Sequence, residues 1–189
     1  HQQAPSITFE MLSPGDNTSE LLTRGEADMM IVPERYLQEG HPSQLLFEEQ
    51  HVCVVWQDNP QVGDSLTLEQ YMQMGHISVG FGRNRHLSIE DWFMSQYGFN
   101  RRLEVITNDF NTLPQLLVGT QRIATMHRRL AELYAQYLPL RILPTPVKIP
   151  AMREFMHWHR SMDGDPMHRW LRERIGDIIH SLDQHPEQH

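Results

Sequence analysis

Two stretches of this chain spell the same unit. Leu21-Leu22-Thr23-Arg24-Gly25-Glu26-Ala27-Asp28-Met29-Met30-Ile31-Val32 and Leu116-Leu117-Val118-Gly119-Thr120-Gln121-Arg122-Ile123-Ala124-Thr125-Met126 both run from an apolar helix end, through a glycine and a polar turn, into an apolar strand. Glycine suits the left-handed position just past a helix, because it has no Cβ to clash there. A short apolar run after it suits a strand covered on both faces. Each copy reads as a helix-to-strand step, and two such steps predict two α/β lobes of similar wiring. A pair of lobes leaves a cleft, the usual place for a small-molecule site.

The 189 residues suffice for one domain or for two small lobes. A formal charge of −8 and a pI near 5.8 make a field that repels polyanions, so nothing in the charge balance predicts that this chain grips nucleic acid by itself. The single cysteine, Cys53, lies inside the apolar run His51-Val52-Cys53-Val54-Val55-Trp56 and reads as a buried structural thiol. One cysteine excludes an internal disulfide, which favours a reducing compartment. The sequence holds no run of about 18 apolar residues, and His1-Gln2-Gln3-Ala4-Pro5 lacks the charged and apolar regions of a leader. The expectation is a cytoplasmic chain without a membrane segment.

Along the chain, Ser6 to Leu12 alternates at period two and predicts a strand, closed by the turn Ser13-Pro14-Gly15-Asp16. A helix ends at Gly25, and Ala27 to Val32 is the next strand. Leu45-Leu46-Phe47 and Val52 to Trp56 are strand-like runs that form either a hairpin or one long bent strand. Thr67-Leu68-Glu69-Gln70 is a capping box that opens a helix, and Ile77 resumes as strand. Ser88 caps a helix with Ile89, Trp92, Phe93 and Tyr97 on one face, ended by Gly98. Leu103 to Thr107 predicts a strand, Leu113, Leu116 and Leu117 a helix, Ile123 to Met126 a strand, and Leu130, Leu133, Tyr134 and Tyr137 another helix. A strand follows over Leu138 to Leu143. Pro144, Pro146 and Pro150 mark an extended crossing, because proline restricts both itself and its predecessor. After a strand over Phe155 to His159, Asp165-Pro166 starts the last helix, whose Leu171, Ile175, Ile178, Ile179 and Leu182 keep the clearest helical stripe. Alternating strands and helices predict an α/β fold.

Few residue patterns carry chemistry. His127-Arg128-Arg129 follows a buried strand and opens a helix, the strand end where ligands collect in α/β sheets. Helix N-termini favour anions and arginine offers a fork that matches carboxylate or phenolate oxygens; the competing reading is a solvated basic turn. Gly80-Phe81-Gly82-Arg83-Asn84-Arg85-His86 is a second strand-to-helix loop, without the lysine or spacing of a phosphate loop. His157, His159 and His168 raise the idea of a metal-dependent enzyme, yet no HExxH or CxxC pattern supports one. Glu48-Glu49 are adjacent strand residues that face opposite ways and so make a poor acid/base pair. Met126, Met152, Met156 and Met162 gather around the crossing, as core filling or as soft contacts for an aromatic ligand. No serine sits in a GxSxG elbow. No catalytic residue, metal or cofactor is expected.

Phe9-Glu10-Met11-Leu12, the Leu21-to-Asp28 step, Leu46-Phe47-Glu48-Glu49 with Val52-Cys53-Val54, Gly119-Thr120 with Ile123-Ala124-Thr125-Met126, and Asp165-Pro166 with Trp170-Leu171-Arg172 together resemble the effector-binding domain of LysR-type transcriptional regulators. The resemblance covers nearly the whole chain. It is nearest to the aromatic-sensing subgroup of nodulation regulators and regulators of naphthalene, nitrotoluene and chlorophenol degradation, and Phe81-Gly82-Arg83-Asn84-Arg85 with Trp92-Phe93 is similar to the nodulation branch. It implies an α/β, two-lobe periplasmic-binding-protein-like (type 2) fold with mixed, mainly parallel sheets, and places His1 after the family's first strand and helix. It also implies a first lobe over residues 1–76 and 149–189, a second over 77–148, and crossings near Gly75-His76 and Val147 to Pro150. Carried over by position, the pocket maps to Glu49, His86, Phe110, Thr125 and Arg129, with Arg129 pairing with an acidic oxygen of a small aromatic inducer and His86 hydrogen-bonding it. DNA would be bound only through an N-terminal helix-turn-helix domain outside this chain, in a homodimer or homotetramer. A solute-binding protein of a transport system shares the two-lobe plan and is the alternative reading.

Overall fold

The structure is a computed structural model that describes residues 4, 6–12, 18–82, 86–87, 89–96, 98 and 100–184. The side chains of residues 19, 86–87, 89–92, 183 and 184, the loop 83–85 and the cap at Ser88 lie outside the described set.

Nine strands form two sheets among the described residues. β1 (Met29–Pro33) and β2 (Ser43–Glu49) flank β9 (Met152–Trp158), and both pair with it antiparallel. The larger sheet has the order β5 (His86–Leu87), β4 (Gly75–Phe81), β7 (Ile123–His127), β3 (His51–Trp56), β8 (Leu140–Leu143), with β6 (Arg102–Thr107) also paired to β4. Among the described residues five α-helices decorate them: α1 (Thr18–Thr23), α2 (Leu68–Gln73), α3 (Ile89–Gln96), α4 (Arg128–Ala135) and α5 (Pro166–Gln184).

β3 explains why the larger sheet is stable. His51 to Val55 are all buried, and alternate residues serve opposite layers. Val52 and Val54 pack with Ile77, Val79, Leu113, Leu117 and Met126, while Cys53 and Val55 pack with Tyr71, Met74, Met94 and Leu143. Full burial of one such aliphatic side chain contributes about 1.5–3 kcal/mol, so a central strand apolar on both faces holds two layers at once.

The repeated glycines behave as their sequence predicts, with φ of 69° at Gly25 and 74° at Gly119. At Gly25 the helix closes with a Schellman pair, Glu26 N–H to Leu21 C=O at 2.9 Å and Gly25 N–H to Leu22 C=O at 3.1 Å. The second copy differs. Residues 110–119 form successive turns instead of the expected helix. Asp109 takes the N–H groups of Asn111 and Thr112, and Pro114 has no N–H to give, so short-range bonds such as Leu117 N–H to Pro114 C=O prevail.

Other expectations change as well. Ser6 to Leu12 forms no strand: Phe9, Met11 and Leu12 stay exposed, because alternation supplies a face but no neighbouring ladder pairs with it among the described residues. The sheets are mixed, but parallel pairing is confined to β4 with β6 and β7. β3, β5, β8, β1 and β2 all pair antiparallel. The boundary expected at 76/77 also moves. β2 and β3 are one bent run through Gln50, and β3 pairs with β7 and β8, so the chain first passes between the sheets at Gln50 and not at Gly75-His76. The other connection between the sheets runs over residues 144–151, from β8 to β9, and carries Pro144, Pro146 and Pro150.

Candidate functional site

The passage at Gln50 brings the two sheets and one helix end together. β3 pairs with β7 so that His51 faces His127, and α4 starts at the next residue. The Arg128 N–H donates to the Gln50 carbonyl at 2.8 Å, which docks the first turn of α4 on the passage. Glu49, only 5% exposed, reaches the same turn. Its Oε1 accepts the Gln50 N–H at 2.9 Å and the Arg129 N–H at 3.5 Å, and its Oε2 lies 3.5 Å from Arg129 Nε. Burial raises the Glu49 carboxyl above the usual range, while these donors favour its charged form. The Arg129 guanidinium also lies 4.6 Å from the centroid of the Phe47 ring, a cation–π arrangement.

Beside this ion pair runs a line of rings. Phe81 and Phe110 have centroids 5.8 Å apart, Phe110 and His127 4.5 Å, and His127 and His51 5.4 Å. Burial pushes His51 down to about 4, and burial with the neighbouring His51 does the same to His127. At neutral pH both imidazoles are therefore uncharged, and the rings pack on one another as flat, polarisable surfaces.

On the smaller sheet, Glu154 of β9 stands directly across from Phe47, and Met152 across from Glu49. Opposed residues in an antiparallel ladder share a face, so Phe47, Glu49, Met152 and Glu154 line one surface. Burial, and then the charge of Glu49, push the Glu154 carboxyl up to about 7. Sequence reasoning missed Glu154, His51 and Phe47. A signal for Glu154 was present in Met152-Arg153-Glu154-Phe155-Met156, where period two sets an acid between two methionines.

The structure thus brings Glu49, Phe110 and Arg129 to one place. His86 pairs with Phe81 through its backbone, which sets it at the Phe81 end of the ring line, but its side chain lies outside the described residues. Thr125 is placed elsewhere. It is buried in the layer of Cys53 and Tyr71, its hydroxyl 2.8 Å from the Tyr71 hydroxyl and 3.3 Å from Arg101 Nη1. Of His157, His159 and His168, two spend both ring nitrogens locally. His157 binds the Gln38 N–H and the Pro42 carbonyl, and His168 the Asp28 carbonyl and Arg172. Two open grooves lie elsewhere on the surface, lined by none of Glu49, Arg129, Phe110, His127 and His51. One of about 580 Å³ runs between α5 and β2 beside Trp158 and Arg172; the other, about 460 Å³, lies at the ends of β4 and β6 beside Gly80 and Asn108, next to Phe81.

Among the described residues no helix is long and apolar enough to cross a membrane. The sequence pattern of the LysR substrate binding domain matches residues 1–178. Nodulation protein D 2 of Rhizobium tropici is 42% identical over 174 residues, which are 92% of this chain and 55% of that protein. Nodulation protein D 1 of Bradyrhizobium diazoefficiens is 40% identical over 171 residues, 90% of this chain and 54% of that protein. The chain therefore spans about half the length of these relatives. Among solved structures, the regulatory domain of MexT, a transcriptional activator in Pseudomonas aeruginosa, superposes with a TM-score of 0.76 at 26% identity over 93% of this chain and 86% of that one. The regulatory domain of MetR, a LysR family regulator from N. meningitidis, shares the fold with a TM-score of 0.68 at 17% identity, over 94% of this chain and 81% of that one. With a family match over nearly its whole length, and relatives at this identity, the chain belongs to the LysR substrate binding domain family.

Proposed function

We propose that this chain is the inducer-binding and oligomerisation domain of a LysR-type transcriptional regulator that senses a small aromatic molecule. The observation that carries the reading is the convergence of Arg129, Glu49 and the line Phe81, Phe110, His127, His51 where the two sheets meet. A flat ligand there would stack on Phe110 and His127 and direct a polar edge to Glu49 and Arg129, with His86 at the far end. The resemblance to nodulation regulators implies a phenolic or flavonoid-like inducer, and the 42% identity with nodulation protein D 2 supports that choice among aromatics. The domain does no chemistry in this reading. Its ligand binds one arrangement of the two sheets better than another, and that difference in free energy shifts the geometry of a homodimer or homotetramer. A helix-turn-helix domain elsewhere in the full-length protein would convert the shift into altered DNA contacts in the cytoplasm.

The test is a thermal-shift panel of phenols, aromatic carboxylates and flavonoids on this chain, followed by titration calorimetry. Stabilisation by at least one class, lost in Phe110→Ala, is expected; a flat response to every aromatic would end the proposal.

A further inference from the structure

Arg129 and the first turn of α4 make a seat for an anion, and the protein's own carboxylate fills it. Glu49 holds the Arg129 N–H and guanidinium at once and is nearly sealed from solvent. An aromatic carboxylate aimed at the Arg129 Nε and backbone N–H would have to part Glu49 from those two donors, leaving that buried carboxylate with the Gln50 N–H, or else sit as a third acid beside Glu49 and Glu154. A hydroxyl group meets neither obstacle. It brings no charge, and its O–H donates to carboxylate oxygen, which accepts only. The neutral imidazoles of His51 and His127 add no positive charge to offset an acid.

Taking the aromatic-sensing reading as its basis, we propose that Glu49 is a specificity-determining residue. By occupying the anion seat at Arg129, with Glu154 on the adjacent strand as a second acidic wall, it selects uncharged hydroxylated aromatics against aromatic carboxylates.

The experiment compares the wild-type chain with Glu49→Ala and with Glu49→Ala/Arg129→Ala, using inorganic sulfate and the ring-matched pair 4-hydroxybenzyl alcohol and 4-hydroxybenzoate. Each is followed by thermal shift and calorimetry, and circular dichroism checks that each variant folds. Expected are no sulfate response in the wild type, a gain of about tenfold or more in sulfate and 4-hydroxybenzoate affinity in Glu49→Ala, and loss of that gain in the double variant. If Glu49→Ala does not fold, Glu49→Gln empties the seat of charge at constant shape and should show the same direction. Sulfate or 4-hydroxybenzoate binding as tight in the wild type as in the variant, or a gain that survives removal of Arg129, overturns the role of Glu49. Failure of every aromatic in the wild type would instead fail the aromatic-sensing reading, and the sulfate comparison would still decide whether Glu49 guards the seat.

Discussion

Glu49 and Arg129 join the two sheets across the shortest passage of the chain: a carboxylate from the end of β2 holds both the backbone and the side chain of the first turn of α4. Because Arg129 is 41% exposed, water screens much of the charge pairing, and the buried partner dominates the energetics. Arg129→Ala should therefore cost about 1 kcal/mol, mainly through a less well-solvated Glu49, read as a lowered denaturant midpoint at unchanged m. Arg129→Lys keeps the charge but loses the planar contact with Phe47, and should fall between wild type and alanine.

Thr125 serves the buried Tyr71 layer of β7. Its hydroxyl sits between Tyr71 and Arg101, with Cys53 Sγ at 3.9 Å. Thr125→Val keeps shape and removes that oxygen from a buried network, so a loss of about 1–3 kcal/mol is expected in a urea melt. A midpoint equal to wild type would show that Tyr71 and Arg101 satisfy each other without it.

Acid should weaken the fold through its histidines. His51, His76 and His127 are each held near 4 by burial, against an ordinary value of 6.5. Their folded-state values are depressed, so the unfolded chain takes up protons first. The stability they confer is complete above about 6.5 and drains away as pH falls towards 4, by up to about 3 kcal/mol for a fully buried imidazole. His76→Gln should flatten the fall in Tm between pH 6.5 and 4; an unchanged slope would remove His76 from this account.

Glu154 acts with the opposite sign. Its carboxyl is raised from 4.5 to about 7, so its stabilising contribution is present below 4.5 and is lost as pH rises through 7. Glu154→Gln should raise Tm at pH 8 more than at pH 5, and an equal shift at both would mean that Glu154 is ionised throughout.

Gly25 and Gly119 have positive φ with open space around the missing side chain. Alanine at either position meets no neighbour but pays the left-handed penalty, so each should cost about 1 kcal/mol by chemical denaturation, and their sum should be additive across that distance.

What was readable in the sequence was local. The Asp165 cap appears as Asp165 Oδ1 accepting the His168 N–H at 2.7 Å, and the Thr67 capping box closes in both directions. The glycine steps and the proline-marked passage were local too. Partnership was not readable: an apolar run such as Val52 to Val55 declares that both its faces are covered, but not which sheet covers them. The same limit hid the site. Arg129 was visible as a cation at a helix start, whereas its partner Glu49 looked like half of an acidic doublet, and only the sheet-to-sheet bend at Gln50 turns that carboxylate into the helix. Glu154 gains its meaning from standing opposite Phe47 and close to Glu49.

Gln50 is one peptide unit wide and is gripped on both sides, its N–H by Glu49 and its carbonyl by Arg128. The other passage, residues 144–151, is far longer. The molecule is thus built like a lever with a very short arm: a small rotation of the first turn of α4 must turn the end of β2, since no slack residue lies between them to absorb it. The Gln50 amide proton is the natural gauge of that torque. Its exchange with deuterium should change on ligand binding before any loop responds, and an amide indifferent to ligand would mean that the force travels by the longer strap.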